Sequence, residues 1–178
     1  MDSIIRHNRE FVASGAGKAF EASKFPRLKT AIVTCMDTRL LTMLPAALGL
    51  KNGDVKMIKN AGGLVTDPYG DSMRSILVAV YELGVENVMI IAHTTCGVQG
   101  MDGAHFLHEM EARGISREKI DDIKASGVDL EGWLTGFCDT DEAVRESVAL
   151  VASHPLLPEG VKVSGYVIDT LTGALRPV

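Results

Sequence analysis

The sequence predicts an α/β fold with a central, mostly parallel β-sheet of about four strands flanked by helices. Two observations support this prediction. Segments rich in Val, Ile and Met alternate along the chain with segments of helical periodicity. These Val/Ile/Met-rich segments are nearly continuous apolar runs, which is typical of strands covered on both faces. Strands separated by helices favour parallel crossover connections and therefore a single parallel sheet.

Four segments are predicted to be strands: Thr30–Cys35, Asp54–Asn60, Asn87–His93 and Val161–Ile168. The helix Asp71–Leu83 is predicted from apolar residues at positions i, i+3, i+4 and i+7, with Gly84 as its terminator. The helix Asp139–Ser153 is predicted from an apolar stripe and from Pro155 just beyond its end. A further helix is expected to begin near Arg39.

Two other segments lie outside this alternation of strands and helices. An N-terminal arm of about residues 1–24 is predicted to be helical, but it precedes the first strand and has no evident packing partner within the chain. The polar, glycine-containing stretch of about residues 98–138 is predicted to be an insert of short helices, with Trp133 as a packing residue. No linker composition divides the chain, so residues 1–178 are predicted to form a single domain.

Composition restricts the class of protein further. The 178 residues are 46% hydrophobic and 23% charged, with a net charge of −5 and no clustered basic residues, so no nucleic-acid partner is predicted. No apolar run reaches the roughly 18 residues of a membrane span, and the first twenty residues lack a signal-peptide core. The odd count of three cysteines argues against a disulfide scaffold. We therefore expect a cytoplasmic protein with no membrane partner.

Three metal-binding side chains are predicted to meet at one edge of the sheet. Cys35 closes the first strand, His93 closes the third, and Cys96 follows three residues later. In open parallel sheets the ligand crevice lies outside the carboxyl ends of the strands. Two thiolates and one imidazole satisfy three corners of a zinc tetrahedron, and a catalytic zinc keeps its fourth corner open. The sequence therefore predicts a zinc site built from these three residues.

Asp37 and Arg39 follow the first of these cysteines. An aspartate so close to an ion can bind the metal, or it can turn away and accept a hydrogen bond from a hydroxide on the metal. Arg39 is placed to hold the carboxylate in this second arrangement through two hydrogen bonds. The sequence alone leaves both arrangements of Asp37 open.

Together these motifs resemble the β-class carbonic anhydrase family, especially its short bacterial members. The resemblance lies in Cys35-x-Asp37-x-Arg39, then Lys59-Asn60-Ala61-Gly62-Gly63, then His93-x-x-Cys96-Gly97, in this order along most of the chain. It implies zinc-dependent reversible hydration of carbon dioxide to bicarbonate by a metal-bound hydroxide, with one zinc per chain.

The resemblance also implies roles for individual residues. Cys35, His93 and Cys96 would be the zinc ligands. Asp37 would be a fourth ligand in a closed form, or would be held by Arg39 in an open form that admits water. The remaining implied site residues are Gly62 and Gly63, which would line the substrate pocket. The N-terminal arm would wrap around a partner subunit, giving a homodimer or a dimer of dimers.

Two other functions remain open at this stage. Relatives of the same fold hydrolyse carbonyl sulfide or carbon disulfide with the same ligands, and a third possibility is a non-catalytic zinc module. Short family members often carry an acidic residue between the His and Cys of the second motif, whereas this chain has Thr94-Thr95. His105 and His108 follow the metal loop and are candidates for a proton shuttle, but the sequence does not select either.

Overall fold

A five-stranded β-sheet, with strand order β2-β1-β3-β4-β5, organises the chain. The computed structural model describes all residues from Met1 to Val178. The strands are β1 (Thr30–Cys35), β2 (Val55–Asn60), β3 (Asn87–His93), β4 (Lys162–Ile168) and β5 (Leu175–Pro177). The first four pair in parallel, and β5 pairs antiparallel with β4. The predicted mostly parallel α/β sheet is thus confirmed, with one short edge strand added.

Seven α-helices and one 3₁₀ helix accompany the sheet. The α-helices are α1 (Asp2–Ser14), α2 (Leu40–Ala47), α3 (Asp71–Leu83), α4 (Gly103–Ala112), α5 (Arg117–Ala125), α6 (Leu130–Leu134) and α7 (Thr140–Ala152). The 3₁₀ helix is Ala16–Phe20. Helix α3 has the predicted bounds and ends at Gly84, whose φ of 70° is a left-handed conformation that glycine adopts without strain. None of the helices is both long and apolar enough to cross a bilayer.

The core lies on the two faces of β1 and β3. Nearly all residues of these central strands are buried, as their continuous apolar sequence predicts. On one face, α3 and α7 bury apolar side chains such as Met73, Ile76 and Val144 in a cluster of 15 buried residues. On the other face, Leu40 and Leu44 of α2 pack in a smaller cluster that also contains Cys35 and Cys96. The edge strand β2 differs from the prediction because none of its residues is fully buried.

The arm and the insert both lie outside the main core. Helix α1 has no buried residue, although apolar side chains such as Ile4 and Val12 recur along it. The insert contains three short helices, α4 to α6, around a separate small cluster of Leu107, Ile120 and Leu134. The expectation that Trp133 packs inside the insert is wrong, since its side chain is 75% exposed.

Candidate metal centre

The carboxyl ends of β1 and β3 bring three side chains together. Cys35 is the last residue of β1, His93 is the last residue of β3, and Cys96 lies in the turn after β3. Because the two strands are parallel neighbours, their ends reach the same edge of the sheet. The ligand atoms of all three residues lie within 4.8 Å of one another, and all three residues are buried.

The spacing and chemistry of these atoms fit a zinc ion. The sulfurs of Cys35 and Cys96 are 3.9 Å apart. Two sulfurs bound to one tetrahedral zinc at about 2.3 Å would lie about 3.8 Å from each other. His93 Nε2 is the one buried side-chain nitrogen or oxygen without a hydrogen-bond partner. A buried nitrogen without a partner is costly unless something else satisfies it, and a cation between the two thiols would do so.

Backbone and burial set the chemical state of the imidazole. His93 Nδ1 lies 2.9 Å from the carbonyl oxygen of Thr94, and a carbonyl can only accept, so Nδ1 carries the hydrogen. Burial lowers the pKa of His93 and keeps the ring neutral at pH 7. Nε2 therefore carries a lone pair and no hydrogen, which is the tautomer that a metal ligand through Nε2 requires.

The Cys96 thiol lies in an environment that disfavours its negatively charged form. Burial raises the pKa of the Cys96 thiol, and the neighbouring Cys35 raises it further. A bound divalent cation reverses this balance, because a coordinating thiol loses its proton to the metal. This donor set is therefore suited to a cation rather than to a pair of free thiolates.

Asp37 lies beside the three side chains and is held by Arg39. The guanidinium donates from Nε to Asp37 Oδ1 over 2.9 Å and from Nη2 to Oδ2 over 2.8 Å, while the backbone N–H of Arg39 also donates to Oδ1 over 2.9 Å. These bonds hold the pKa of Asp37 far below its usual range. Asp37 Oδ2 remains 3.9 Å from His93 Nε2, so an ionised carboxylate adjoins the ligand atoms.

The loop after β2 packs tightly against the first cysteine. Cys35 and Asn60 are register partners on adjacent strands, so Gly62 and Gly63 follow directly beside Cys35. Gly63 has φ of 72°, and a Cβ there would lie 2.5 Å from the backbone nitrogen of Cys35. Only glycine permits this approach. The Asn60 side chain closes the loop by accepting hydrogen bonds from the N–H groups of Gly63 and Leu64.

A cavity of about 450 Å³ opens next to this loop. Its walls are mostly apolar: Asn60, Ala61, Leu64, Thr66, Val98, Met101, Trp133, Thr135, Gly136 and Phe137. Val98 and Phe137 also pack against the cluster that contains Cys35 and Cys96. The predicted pocket residues Gly62 and Gly63 are buried and do not themselves line this cavity, and neither do the three donor residues. Gly62 lies behind its wall, since a Cβ there would contact Phe137, Leu64 and Val98 at 3.5–3.8 Å.

Some side chains near the centre had no role assigned from the sequence, and two candidates lie elsewhere. Asn60 orders the glycine loop, and Thr95 and Thr170 contact Arg39. The sequence marked Thr95 only as a departure from the acidic residue of short family members, and it gave no signal for Thr170, because the contacts of both depend on the conformations of two separate loops. His105 and His108 lie on the exposed side of α4, and the cavities that they line contain none of the centre's residues.

A sequence model of the carbonic anhydrase family matches residues 30–175. The chain belongs to the β-carbonic anhydrase family. A Bacillus subtilis protein provisionally named carbonic anhydrase YvdA is 46% identical over 178 residues, which cover all of this chain and 90% of that protein. The crystal structure of β-carbonic anhydrase isoform I from Trichomonas vaginalis superposes with a TM-score of 0.87 at 30% identity, covering 99% of this chain and 95% of that one. These findings confirm both the resemblance and the fold predicted from the sequence.

The family also includes enzymes with another named activity. A carbon disulfide hydrolase from Acidithiobacillus thiooxidans is 32% identical over 154 residues, covering 82% of this chain and 75% of that enzyme. The alternative activity considered in the sequence analysis, hydrolysis of a sulfur compound, is therefore the named activity of a relative of this β-carbonic anhydrase family member.

Proposed function

We propose that this chain hydrates carbon dioxide reversibly to bicarbonate at one zinc ion held by Cys35, His93 and Cys96. The observation that carries this proposal is the convergence of the three donor atoms within 4.8 Å, with the lone pair of His93 left without a partner. The 46% identity to a provisionally named carbonic anhydrase over the whole chain supports the substrate assignment. Membership of an enzyme family favours this function over a non-catalytic zinc module.

The chain's own residues would orient the reacting water. Zinc, when bound, lowers the pKa of a water molecule from 15.7 to about 7, the value known for carbonic anhydrase, and so supplies hydroxide at neutral pH. Thiolate ligands donate charge and oppose this acidification, which makes the neighbouring carboxylate important. Asp37 Oδ2 would accept a hydrogen bond from the attacking water and direct its lone pair towards the substrate. Arg39 keeps Asp37 ionised and engaged through two guanidinium donors.

The glycine loop and the adjoining cavity would admit the substrate. Carbon dioxide carries no charge and no hydrogen-bond donor, so it enters an apolar cavity at little desolvation cost. Val98 and Phe137 supply apolar surface between this cavity and the cysteines. Gly62 and Gly63 would line the end of the pocket nearest Cys35, since a Cβ at Gly63 would lie 2.5 Å from the backbone nitrogen of Cys35 and one at Gly62 would reach the cavity residues Phe137 and Val98 at 3.5 and 3.8 Å.

Zinc content and stopped-flow hydration of carbon dioxide test the function directly. The purified chain should contain one zinc per chain and should hydrate carbon dioxide with a rate that disappears when a chelator removes the metal. Restoring zinc should restore the rate. A zinc-loaded protein with no hydration activity across the pH range would contradict the proposal.

Carbon disulfide hydrolysis is the second candidate, and the identity of 32% to a named carbon disulfide hydrolase favours it. Carbon disulfide and carbonyl sulfide are linear and apolar, so the same cavity and the same donor set would accept them. Sulfide release from these compounds, measured beside hydration of carbon dioxide on one zinc-loaded preparation, separates the two. A kcat/KM for a sulfur substrate that exceeds the value for carbon dioxide would reverse our order of preference.

We further propose that the N-terminal arm packs on a second copy of the chain, giving a homodimer or a dimer of dimers. Ile4, Ile5, Phe11 and Val12 form one apolar stripe on α1, yet no residue of α1 is buried. A contiguous exposed stripe of this kind marks an interaction surface. Both the apolar surface and the position of the arm before the first strand fit an arm that crosses to another subunit.

Charge placed on this stripe should dissociate the assembly. The double variant Ile5→Asp/Val12→Asp should run at a smaller mass than the parent chain in light scattering coupled to gel filtration. Ser3→Asp/Ala13→Asp adds the same charge on the opposite face of α1 and should leave the mass unchanged. An equal mass for the parent and both variants would contradict the proposed role of the arm.

We also propose that residues 1–178 form one domain that functions in the cytoplasm. All three cysteines are free, and two of them are the proposed zinc ligands, which must remain reduced to bind metal. Oxidation of the purified protein should therefore release zinc, and subsequent reduction should allow zinc to bind again.

A further inference from the structure

Arg39 is held from two sides. One side is the pair of hydrogen bonds to Asp37, and the other is Thr95, which lies in the loop between two proposed zinc ligands. Arg39 Nη1 donates to Thr95 Oγ1 over 2.9 Å, and Nη2 donates to the Thr95 carbonyl oxygen over 3.0 Å. The arginine therefore connects Asp37 to the loop that carries His93 and Cys96.

Thr95 has an unusual backbone conformation. Its φ is 55°, and Lys29 is the only other non-glycine residue with positive φ. A β-branched residue rarely adopts this left-handed conformation, because its side chain crowds the backbone. Here the conformation allows the hydroxyl and the carbonyl of one residue to accept from the same guanidinium. The unfavourable backbone geometry is thus associated with a specific pair of contacts to Arg39.

Thr170, which follows β4, supports this arrangement. Its Oγ1 lies 3.4 Å from both Arg39 Nη1 and Thr95 Oγ1, and 3.1 Å from Thr94 Oγ1. Its backbone N–H also donates to Thr94 Oγ1 over 3.0 Å. These contacts join the loop after β4 to the loop after β3.

We propose that Thr95, supported by Thr170, is a positioning residue that keeps the Arg39 guanidinium aligned on Asp37 and thereby keeps Asp37 off the metal. This inference rests on the proposed roles of Asp37 and Arg39. A guanidinium has five N–H donors, and here each of its three nitrogens donates to Asp37, to Thr95 or to both. The Arg39 side chain is 43% exposed on a flexible stem, so without the Thr95 contacts it would sample other rotamers.

Release of Arg39 would then free the carboxylate. Asp37 Oδ2 is already 3.9 Å from His93 Nε2, so a carboxylate no longer held by Arg39 would be close enough to compete with water for a metal held by the three donor residues. The active fraction of the enzyme would fall in proportion to the fraction of chains with Asp37 on the metal. Thr95 would act through the population of the open form, without contacting the substrate.

The zinc-loaded variants Thr95→Val and Thr95→Ser test this role. Valine keeps the β-branched shape and the backbone carbonyl but removes the hydroxyl, whereas serine keeps the hydroxyl. The kcat/KM for carbon dioxide hydration should fall about tenfold in Thr95→Val, the loss expected for one hydrogen bond to a charged group. Thr95→Ser should stay close to the parent, and the exposed α2 variant Thr42→Val should be unchanged.

A second readout reports on the metal directly. Cobalt(II) exchanged for zinc gives a visible spectrum that depends on the ligands, so entry of the Asp37 carboxylate should alter the spectrum of Thr95→Val. A purely structural role would lower the denaturation midpoint without changing this spectrum. An unchanged spectrum with unchanged kcat/KM in Thr95→Val would overturn the inference, as would equal losses in the valine and serine variants.

Two further variants keep the outcome decisive. If Thr95→Val does not fold, Thr170→Val removes the supporting hydroxyl, and the same spectral change with a roughly threefold loss is expected for its longer, weaker contact. Arg39→Ala separates the inference about Thr95 from the proposed function. If Arg39→Ala keeps the parental kcat/KM, the proposed function of the Asp37–Arg39 pair is refuted. If Arg39→Ala has a lowered kcat/KM while Thr95→Val keeps the parental value, only the role of Thr95 is refuted.

Discussion

The sulfurs of Cys35 and Cys96 lie 3.9 Å apart, although 61 positions separate them in the chain. This distance is nearly twice the length of a disulfide bond, and both cysteines are free. It matches the separation of two sulfurs on one tetrahedral zinc. The geometry of the pair therefore favours a shared ion over a covalent bond.

Replacement of any one of the three proposed zinc ligands should weaken zinc binding. Cys35→Ser, His93→Ala and Cys96→Ser should each lower zinc below one equivalent per chain, because two remaining donors leave the tetrahedral site incomplete. Elemental analysis after dialysis measures this directly. Cys138→Ser is the matched control, since Cys138 is exposed and should be dispensable. Full retention of zinc in all three ligand variants would refute the assignment.

Loss of the carboxylate should slow catalysis while leaving zinc bound. Asp37→Asn keeps the shape of the side chain but removes its charge, so it accepts a hydrogen bond from water more weakly and pairs less well with Arg39. Carbon dioxide hydration should slow by at least about 100-fold, the lower end of the usual contribution from a positioned acid or base. Zinc content measured on the same sample shows whether the metal remains. Parental turnover in Asp37→Asn would remove this residue from the mechanism.

A methyl group at Gly63 should destabilise the loop beside the metal centre. In Gly63→Ala the new Cβ would meet the backbone of Cys35 at 2.5 Å and would also impose a left-handed conformation on alanine. We expect a loss of about 2–5 kcal/mol in the free energy of unfolding, from steric overlap together with backbone strain.

Gly84→Ala separates the contribution of backbone strain from that of steric overlap. Gly84 has a similar φ of 70°, but no atom lies within 4 Å of the place that its new methyl group would occupy, so this variant should lose only about 1–2 kcal/mol. Urea denaturation of the parent and both variants compares them. Equal losses at the two positions would mean that contact with Cys35 contributes nothing.

Stability in acid should depend on Asp54, whose side chain is only 5% exposed. Arg27 Nε donates to Asp54 Oδ1 over 2.9 Å, and this hydrogen bond is the main cause that lowers the pKa of Asp54. A carboxyl group with a lowered pKa in the folded state stabilises the protein fully above its unfolded pKa of about 3.9. That contribution is lost as the pH falls through the folded value.

Asp54→Asn tests this dependence. The variant should be less stable than the parent at pH 7, and the difference should shrink as the pH falls below about 4. Denaturant unfolding at several pH values measures the difference in the free energy of unfolding between parent and variant. Because both proteins have the same metal centre, any loss of metal in acid affects them equally and cancels in this difference. A difference that stays constant from pH 7 to pH 3 would show that the charge of Asp54 does not contribute.

The central strands could be predicted from the sequence because their buried residues form continuous apolar runs. Thr30–Cys35 and Asn87–His93 have the predicted bounds, since apolar residues fill both faces of a strand between two layers. The antiparallel strand Leu175–Pro177 was missed because three residues carry no periodic pattern. The half-exposed β2 also departs from the prediction, because its place at the edge of the sheet depends on strand order.

The amino-acid sequence alone specifies the donor types and their placement at strand ends, because thiol, imidazole and carboxylate chemistry belongs to individual residues and local spacing reveals the strands. The arrangement that Asp37 adopts is set by the three-dimensional fold, since its partner Arg39 is oriented by Thr95, 56 positions away. The same is true of the exposed Trp133 and of the left-handed Thr95. Such features depend on contacts between loops that are far apart in the sequence, and a local pattern of residues cannot predict those contacts.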